Sequence, residues 1–344
     1  MTTMPKLSIC IATYNRAPYI AETLQSIVGQ LSDAVELVVV DGASPDDTQA
    51  VVAPIAAAHP KMRYIRESIN SGIDQDYDKA VGYARGEYCW LMSDDDLLVP
   101  GAIEQVLAQL DGTIDLVVVN SKVKNAHLSH DLRPRLLDVA TDQRHDAPGG
   151  EALFAQVANY LSFIGGVVVR RAFWAGRERA PYYGTLFIHI GVLFQQPPVE
   201  RAVVLAEPLI VIRYGNAMWT SRSFEIWMFK WPQLVWSFHH FCAAARSHVT
   251  AQYPFRSPKR LFFLRAVGSY SHAEYARFLR DRLAAFARVG PAVIAAIPAR
   301  LANFVCGAYY LLRPRKAAGM QLYDLARADH AARLTRSVAA KRPL

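Results

Sequence analysis

Cysteine is scarce and poorly placed for chemistry. Cys10, Cys89, Cys242 and Cys306 stand far apart, with no C-x-x-C pair and no histidine at metal-ligand spacing. This argues against structural zinc and a disulfide framework, and fits a reducing compartment. The N-terminus, MTTMPKLSICIATYNR, lacks a charged stretch followed by a long apolar run, so no signal peptide is expected. No G-x-G-x-x-G follows the first apolar run and no G-x-x-x-x-G-K-[ST] occurs, which disfavours a dinucleotide site and a P-loop. A Gly-rich, Lys/Arg-bearing loop is missing at the same place, which counts against a nucleotidyltransferase. Acids are rare at one end. Residues 251–344 carry 17 Lys and Arg against 4 Asp and Glu, whereas the chain as a whole has 38 against 30. The basic end suits an anionic surface, and the acid-bearing remainder suits a cation.

What is present is a strand–helix alternation. Apolar runs at KLSICIATYN, VELVVVDGAS, MRYIRES, EYCWLMS and IDLVVVNSKV read as buried strands. Between them, APYIAETLQSIVGQ, SPDDTQAVVAPIAAAHP, QDYDKAVGYARG and PGAIEQVLAQL read as helices. Pro18 and Pro100 stand near helix starts, Ser44 is a cap candidate and Gly86 a helix stop. The pattern predicts an α/β fold with a mostly parallel sheet and helices on both faces. Ligands of such sheets sit outside the carboxyl ends of the strands. The polar groups Thr13-Tyr14-Asn15-Arg16, Asp41-Gly42-Ala43-Ser44 and Ser93-Asp94-Asp95-Asp96 should therefore meet on one edge.

Three consecutive acids at a strand end need a reason. A helix dipole favours an acid at its N-terminus by roughly 0.3–1 kcal/mol, enough for one or two of them. A hard divalent cation, Mn²⁺ or Mg²⁺, offsets the repulsion of all three and completes its shell with phosphate oxygens. A second acidic cluster, Asp74, Asp76 and Asp78, mimics a calcium loop, but Lys79 and Arg85 occupy the glycine and glutamate positions such a loop needs. It reads as a solvated helix start, or as a place where one acid, Asp78, faces a nucleotide.

The blocks LSICIATYNRAPYIAETLQSIVGQ, ELVVVDGASPDDT and ARGEYCWLMSDDDLLVPGAI resemble, in order and spacing, the family 2 glycosyltransferases with a GT-A fold. The resemblance implies a Rossmann-like catalytic domain at 1–220 and leaves 221–344 as a basic, apolar helical region for membrane or acceptor. It implies an inverting, metal-dependent transfer from a nucleoside-diphosphate sugar. Thr13, Tyr14, Asn15, Arg16, Asp41 and Asp94 would hold the nucleotide sugar, and Asp95 with Asp94 the metal. Gly42 stands where many members carry a second acid that reads uracil. NSGIDQDYDKAVGYARGEYCWLMSDDDLLVPGAI further resembles the abequosyltransferase-like subgroup, whose donors are deoxyhexoses and whose products are O-antigen or other surface glycans.

An inverting transfer needs a base for the acceptor hydroxyl. The family's Glu-Asp pair is absent from YYGTLFIHIGVLFQQ, where His189 takes roughly that place, either as the base or as a core residue. Glu178 and Glu207 are reserves. The absent pair also supports an alternative, a non-catalytic nucleotide-sugar-binding scaffold. Gly165 and Gly166, before an expected edge strand, would admit a sugar close to the backbone, or simply mark a turn. Arg213, Asn216, Trp219 and Arg222 could form a flap over the diphosphate. From Val289 to Leu312 the chain is long enough to span a bilayer, but Arg300, Pro291 and Pro298 argue against a simple span. Helices lying on an anionic leaflet at the cytoplasmic face are expected, with a packed helical subdomain as the alternative. No nucleic-acid motif is present. The expected partners are a nucleotide sugar, a lipid-linked or glycan acceptor and a membrane surface.

Overall fold

The computed structural model describes residues 4–216, 222–313 and 315–336. The elements of the first half are β1 (Leu7–Thr13), α1 (Ala17–Val28), β2 (Val35–Asp41), α2 (Thr48–Ala58), β3 (Met62–Arg66), α3 (Ile73–Tyr83), β4 (Tyr88–Met92), β5 (Leu97–Leu98), α4 (Ala102–Leu107) and β6 (Leu116–Asn125). They are followed by β7 (Asp131–Arg133), β8 (Gln143–His145), α5 (Glu151–Val157), β9 (Val167–Arg170), α6 (Arg171–Ala175), α7 (Ile188–Phe194) and β10 (Ala202–Tyr214). The described residues fall within two compact units. One draws on Met1–Lys122, Pro134–Ile212 and Phe238–Val249, the other on Val123–Arg133, Arg213–Ser237 and Thr250–Leu344. The segments of the two alternate along the chain, so no single cut separates them.

The first unit is built on a sheet of order β3-β2-β1-β4-β9-β6-β10-β5. Its parallel core, β3-β2-β1-β4, consists of the runs read as strands from their unbroken apolar character. Alternation along β1 explains the layers. Leu7, Ile9 and Ile11 join Leu37, Val39 and Trp90 against Ile20, Leu24 and Ile27 of α1 and Ile103 and Val106 of α4. Cys10 points the other way, its thiol 3.6 Å from the Ala80 carbonyl of α3. Helices thus cover both faces.

Two expectations are corrected. The strand after Gly165-Gly166, β9, is not an edge strand. It lies between β4 and β6, antiparallel to both, because Val167, Val168 and Val169 are apolar on both faces. Gly86 does not end a helix: α3 stops at Tyr83 with Ala84 extended. Gly86 is instead required by close packing, since a Cβ there would lie 2.6 Å from the Ser8 nitrogen.

The second unit is mostly helical, with β7 and the end of β6 as its strands. Phe224 stacks on Tyr270, and Phe229 on Phe255 and Phe278, forming an aromatic core. Buried Asn303 ties three segments together. Its amide donates to the Ala266 and Leu325 carbonyls, and its oxygen accepts from the Ala332 nitrogen and the Thr335 hydroxyl. All its polar atoms are paired, as burial demands.

Candidate active site at the carboxyl edge of the sheet

Register brings three strand ends together. Thr13 lies opposite Asp41, and Ile11 opposite Met92 on the other side of β1. The backbone N–H of Gly42 donates to the Thr13 carbonyl at 3.0 Å, and that of Asn15 to the Ser44 hydroxyl at 3.0 Å. Asp46 receives the Ala17 and Thr48 N–H groups, each at 3.1 Å, and so fixes the starts of α1 and α2 in place of the expected Ser44 cap. Asn15 and Ala43 have φ of 61° and 60°, left-handed values that asparagine tolerates and that are costly for alanine. Such strain persists only where the surroundings over-determine the backbone, as at binding sites.

The acids after β4 already have a cation. Arg16 Nε donates to Asp94 Oδ1 at 3.1 Å, and Arg16 Nη2 to Asp95 Oδ2 at 2.9 Å. All three side chains are buried, and the Ser93 hydroxyl donates to Asp96. Burial pushes the Asp94 carboxyl up to about 6; the Arg16 guanidinium opposes this shift and Asp95 adds to it. The sequence pattern groups these residues, but it gives no sign that Arg16 bridges two of the acids.

The donor chemistry suits Mn²⁺ or Mg²⁺, which take one or two carboxylates and fill the remaining positions with water and phosphate. Among the described residues no three carboxylate, histidine or cysteine groups form a ready cation cage. An ion held by Asp94 and Asp95 would have to displace the guanidinium from them.

Asp41 is 0% exposed. It accepts from the Ser44 N–H at 2.8 Å and the Tyr64 hydroxyl at 2.5 Å, with Arg66 Nε 3.6 Å away. Its carboxylate shapes the 41–44 turn, and it is enclosed by these partners. Tyr14 is half-buried and Asn15 exposed on the same edge.

Helical geometry divides the second acidic cluster. Asp74 and Asp78 are four residues apart and share a face of α3, while Asp76 points the opposite way. Asp74 accepts from the backbone N–H groups of Gly184, Leu186 and Ile188 at 2.8, 2.9 and 3.0 Å, pinning the loop that starts α7. Asp78 accepts from Trp174 Nε1 at 2.8 Å and from the Tyr183 hydroxyl, with Arg179 Nε at 3.2 Å. The expected nucleotide contact of Asp78 is thus replaced by an anchoring role. Both acids do work within the fold that a solvated helix start would not.

The other expected positions are taken up in packing and structural contacts. His189 is 1% exposed, and its Nε2 donates to the Leu161 carbonyl at 2.7 Å. Burial lowers its pKa to about 4, so the ring is neutral and enclosed, the packing alternative rather than the base. Gly165 and Gly166 do not face open space. A Cβ on them would lie 2.3 Å from the Phe163 ring and 2.8 Å from the Tyr160 ring, so these side chains occupy the room reserved for a sugar. Arg213 belongs to the second unit, where it is buried with Nη1 donating to the Ala126 carbonyl at 3.1 Å. Asn216 is half-buried in that unit, Arg222 pairs with Glu225, and Trp219 lies outside the described residues.

A parallel sheet with this carboxyl edge, continued by antiparallel strands, is the GT-A frame of glycosyltransferases. Over 93% of its length the chain superposes on S. aureus TarS 1–349 in complex with UDP, covering 90% of it with a TM-score of 0.56 at 16% identity. A mannosyltransferase from Pyrobaculum calidifontis, solved with GDP-Man and Mn²⁺, superposes over 94% of this chain and 87% of its own with a TM-score of 0.53 at 19% identity. Residues 8–172 match the model of glycosyl transferase family 2, which makes this part of the chain a domain of that family. It is 25% identical over 230 residues to the abequosyltransferase RfbV of Salmonella typhimurium, covering 63% of this chain and 69% of that protein.

Proposed function

We propose that the enzyme moves a sugar from a nucleoside-diphosphate donor to a hydroxyl of a lipid-linked or surface-glycan acceptor, with inversion. The observation that carries this reading is the buried Arg16–Asp94–Asp95 cluster, set where three strand ends converge. It offers both signs of charge at the place where α/β sheets bind ligands. The nucleotide would rest along residues 13–16, with its diphosphate toward the acids. Asp95 and Asp94 would hold Mn²⁺ or Mg²⁺, which neutralises charge on a diphosphate leaving group when bound. Arg16, once freed from the carboxylates, can pair with phosphate oxygens, which its planar fork matches. Similarity to an abequosyltransferase supports a deoxyhexose donor and an O-antigen-type acceptor.

The second unit supports peripheral seating on the inner leaflet. No single helix among the described residues is long and apolar enough to cross a membrane, and the pair Ala285–Ala296 and Ala299–Leu311 is bent by 89°. These helices leave large apolar side chains in the open, with Phe286 85% and Leu312 89% exposed. Phe286, Val289 and Val293 follow helical spacing, as do Leu301, Phe304 and Val305. Exposed Arg300 and Arg313 lie among them. Apolar stripes edged by arginine fit an anionic interface and would keep the enzyme beside a lipid-linked acceptor.

The test is release of nucleoside diphosphate from a panel of UDP-, dTDP-, GDP- and CDP-sugars, with and without a chelator. One donor class should be turned over by the wild type, lost on chelation, and lost in Asp95→Asn at unchanged circular dichroism. Full turnover by Asp95→Asn would refute the role of the acids.

A further inference from the structure

Several cations of the second unit rest on aromatic rings rather than on acids. Arg256 lies over Tyr253, Arg277 over Phe278 and Arg282 over Phe229, at 4.6, 4.9 and 4.6 Å from the ring centroids. A ring attracts a cation through its quadrupole but does not neutralise it, so the charge stays available to a further partner. Tyr309 takes two cations. Lys259 Nζ lies 5.7 Å and Arg313 Cζ 4.8 Å from its centroid, and neither pairs with a carboxylate among the described residues. Two like charges gathered round one ring repel each other, and an anion between them relieves this. Arg313 Nη2 also donates to the Tyr309 oxygen at 2.5 Å, which leaves the tyrosine proton to donate onward.

The surroundings of this cluster give the class of anion. The helix Ala299–Leu311 turns Ala302, Cys306 and Tyr310 inward, where Phe263 meets the Tyr310 ring edge-on at 5.7 Å. On its other side Leu301, Phe304, Val305, Tyr309 and Leu312 stand in the open at helical spacing. The stripe runs about 16 Å from Leu301 to Leu312 at the rise of a helix. It ends at the Lys259–Tyr309–Arg313 cluster. An apolar stripe suits the acyl boundary of a leaflet, and a cation pair at its end suits the head groups. A terminal phosphate carries three acceptor oxygens and a charge of about −1.5 to −2. Lys259, Arg313 and the Tyr309 hydroxyl offer it three donors and two positive charges. A phosphodiester head group has fewer free oxygens and a single charge, and uses this set less fully.

Resting on the membrane seating proposed above, we propose that Lys259, Tyr309 and Arg313 form a discrete site for a membrane lipid that ends in a phosphate monoester. The site selects by head group, which apolar burial and diffuse positive charge do not.

The test is flotation with phosphatidylcholine vesicles that contain either phosphatidic acid or phosphatidylglycerol, their contents set to the same zeta potential. Wild type is compared with Lys259→Gln/Arg313→Gln, with Tyr309→Phe, and with Arg277→Gln/Arg282→Gln, each checked for an unchanged melting temperature. Wild type should bind the phosphatidic acid vesicles about fivefold more tightly or better, the gain from one further basic contact at an anionic surface. Lys259→Gln/Arg313→Gln should bring this ratio close to one, and Tyr309→Phe, which keeps the ring and loses the proton donor, should lower it. Arg277→Gln/Arg282→Gln removes the same charge from exposed positions elsewhere in the unit. It should weaken binding to both vesicles alike and keep the ratio. Because the readout is a ratio within one protein, a partial loss of folded material does not imitate it. A wild-type ratio near one, an unchanged ratio in Lys259→Gln/Arg313→Gln or Tyr309→Phe, or an equal fall in both double variants would overturn the phosphate site and leave the membrane seating standing. Failure of wild type to float with either vesicle would overturn both.

Discussion

Replacing His189 by glutamine separates a buried structural histidine from a catalytic one. In the folded protein the ring is held neutral with a pKa of about 4, against 6.5 for a free histidine. The unfolded chain therefore takes up the proton more readily. Stability from this group is complete above about pH 6.5 and is lost as the pH falls toward 4. At pH 5 the loss comes to about 2 kcal/mol, and it approaches about 3 kcal/mol below pH 4. Glutamine can still donate to the Leu161 carbonyl but cannot titrate. Urea unfolding of both proteins at pH 7.5, 6 and 5 should show the wild type losing about 2 kcal/mol relative to His189→Gln between the first and last. Turnover by the variant should stay within a few-fold of wild type at neutral pH. Parallel pH–stability curves would refute the burial argument. A thousandfold loss of turnover at unchanged stability would restore His189 as the base.

Three further outcomes follow from the same contacts. Arg16→Gln leaves Asp94 and Asp95 buried without their cation, which should cost about 3 kcal/mol or more in metal-free buffer. Mn²⁺ should raise its melting temperature more than it raises that of wild type, and an unchanged metal-free melting point would contradict the clamp. Asp74→Ala strips three backbone N–H groups of their acceptor and should cost about 3–5 kcal/mol by urea unfolding, the range for breaking a buried charged network; a cost below about 1 kcal/mol would mean that the loop does not depend on it. Phe286→Glu with Phe304→Glu should abolish flotation with vesicles containing anionic lipid while leaving the melting temperature unchanged, since both side chains are exposed. Equal flotation of the double variant would remove the membrane role from these helices.

The sheet core was legible because its strands are buried on both faces and read as unbroken apolar runs; Val35–Asp41 and Tyr88–Met92 are the clearest cases. Grouping of the three strand ends followed from topology alone. What the pattern could not carry was the use made of each side chain. Val167–Arg170 reads equally well as an edge or an interior strand, because pairing with β4 and β6 is a long-range choice. Gly165 and Gly166 looked like room for a sugar, but aromatic side chains two and six residues earlier fill that room. The D-x-D-x-D stretch held a usable signal. Four-residue spacing puts Asp74 and Asp78 on one face and Asp76 on the other, and helical phase alone would have assigned them different tasks. No local pattern shows that Arg16, close in space but 78 residues from Asp94, would bridge the acids.

The most direct test of the account is a thermal-shift panel of UDP, dTDP, GDP, CDP and ADP, each with and without Mn²⁺, on wild type and Asp95→Asn. A ligand that binds only the folded state raises the melting temperature by an amount that grows with the logarithm of its concentration over its Kd. The account predicts a shift for one nucleoside diphosphate that needs the metal and vanishes in Asp95→Asn. No shift with any nucleotide at millimolar concentration, or an equal shift in Asp95→Asn, would contradict a nucleotide-sugar site at this edge.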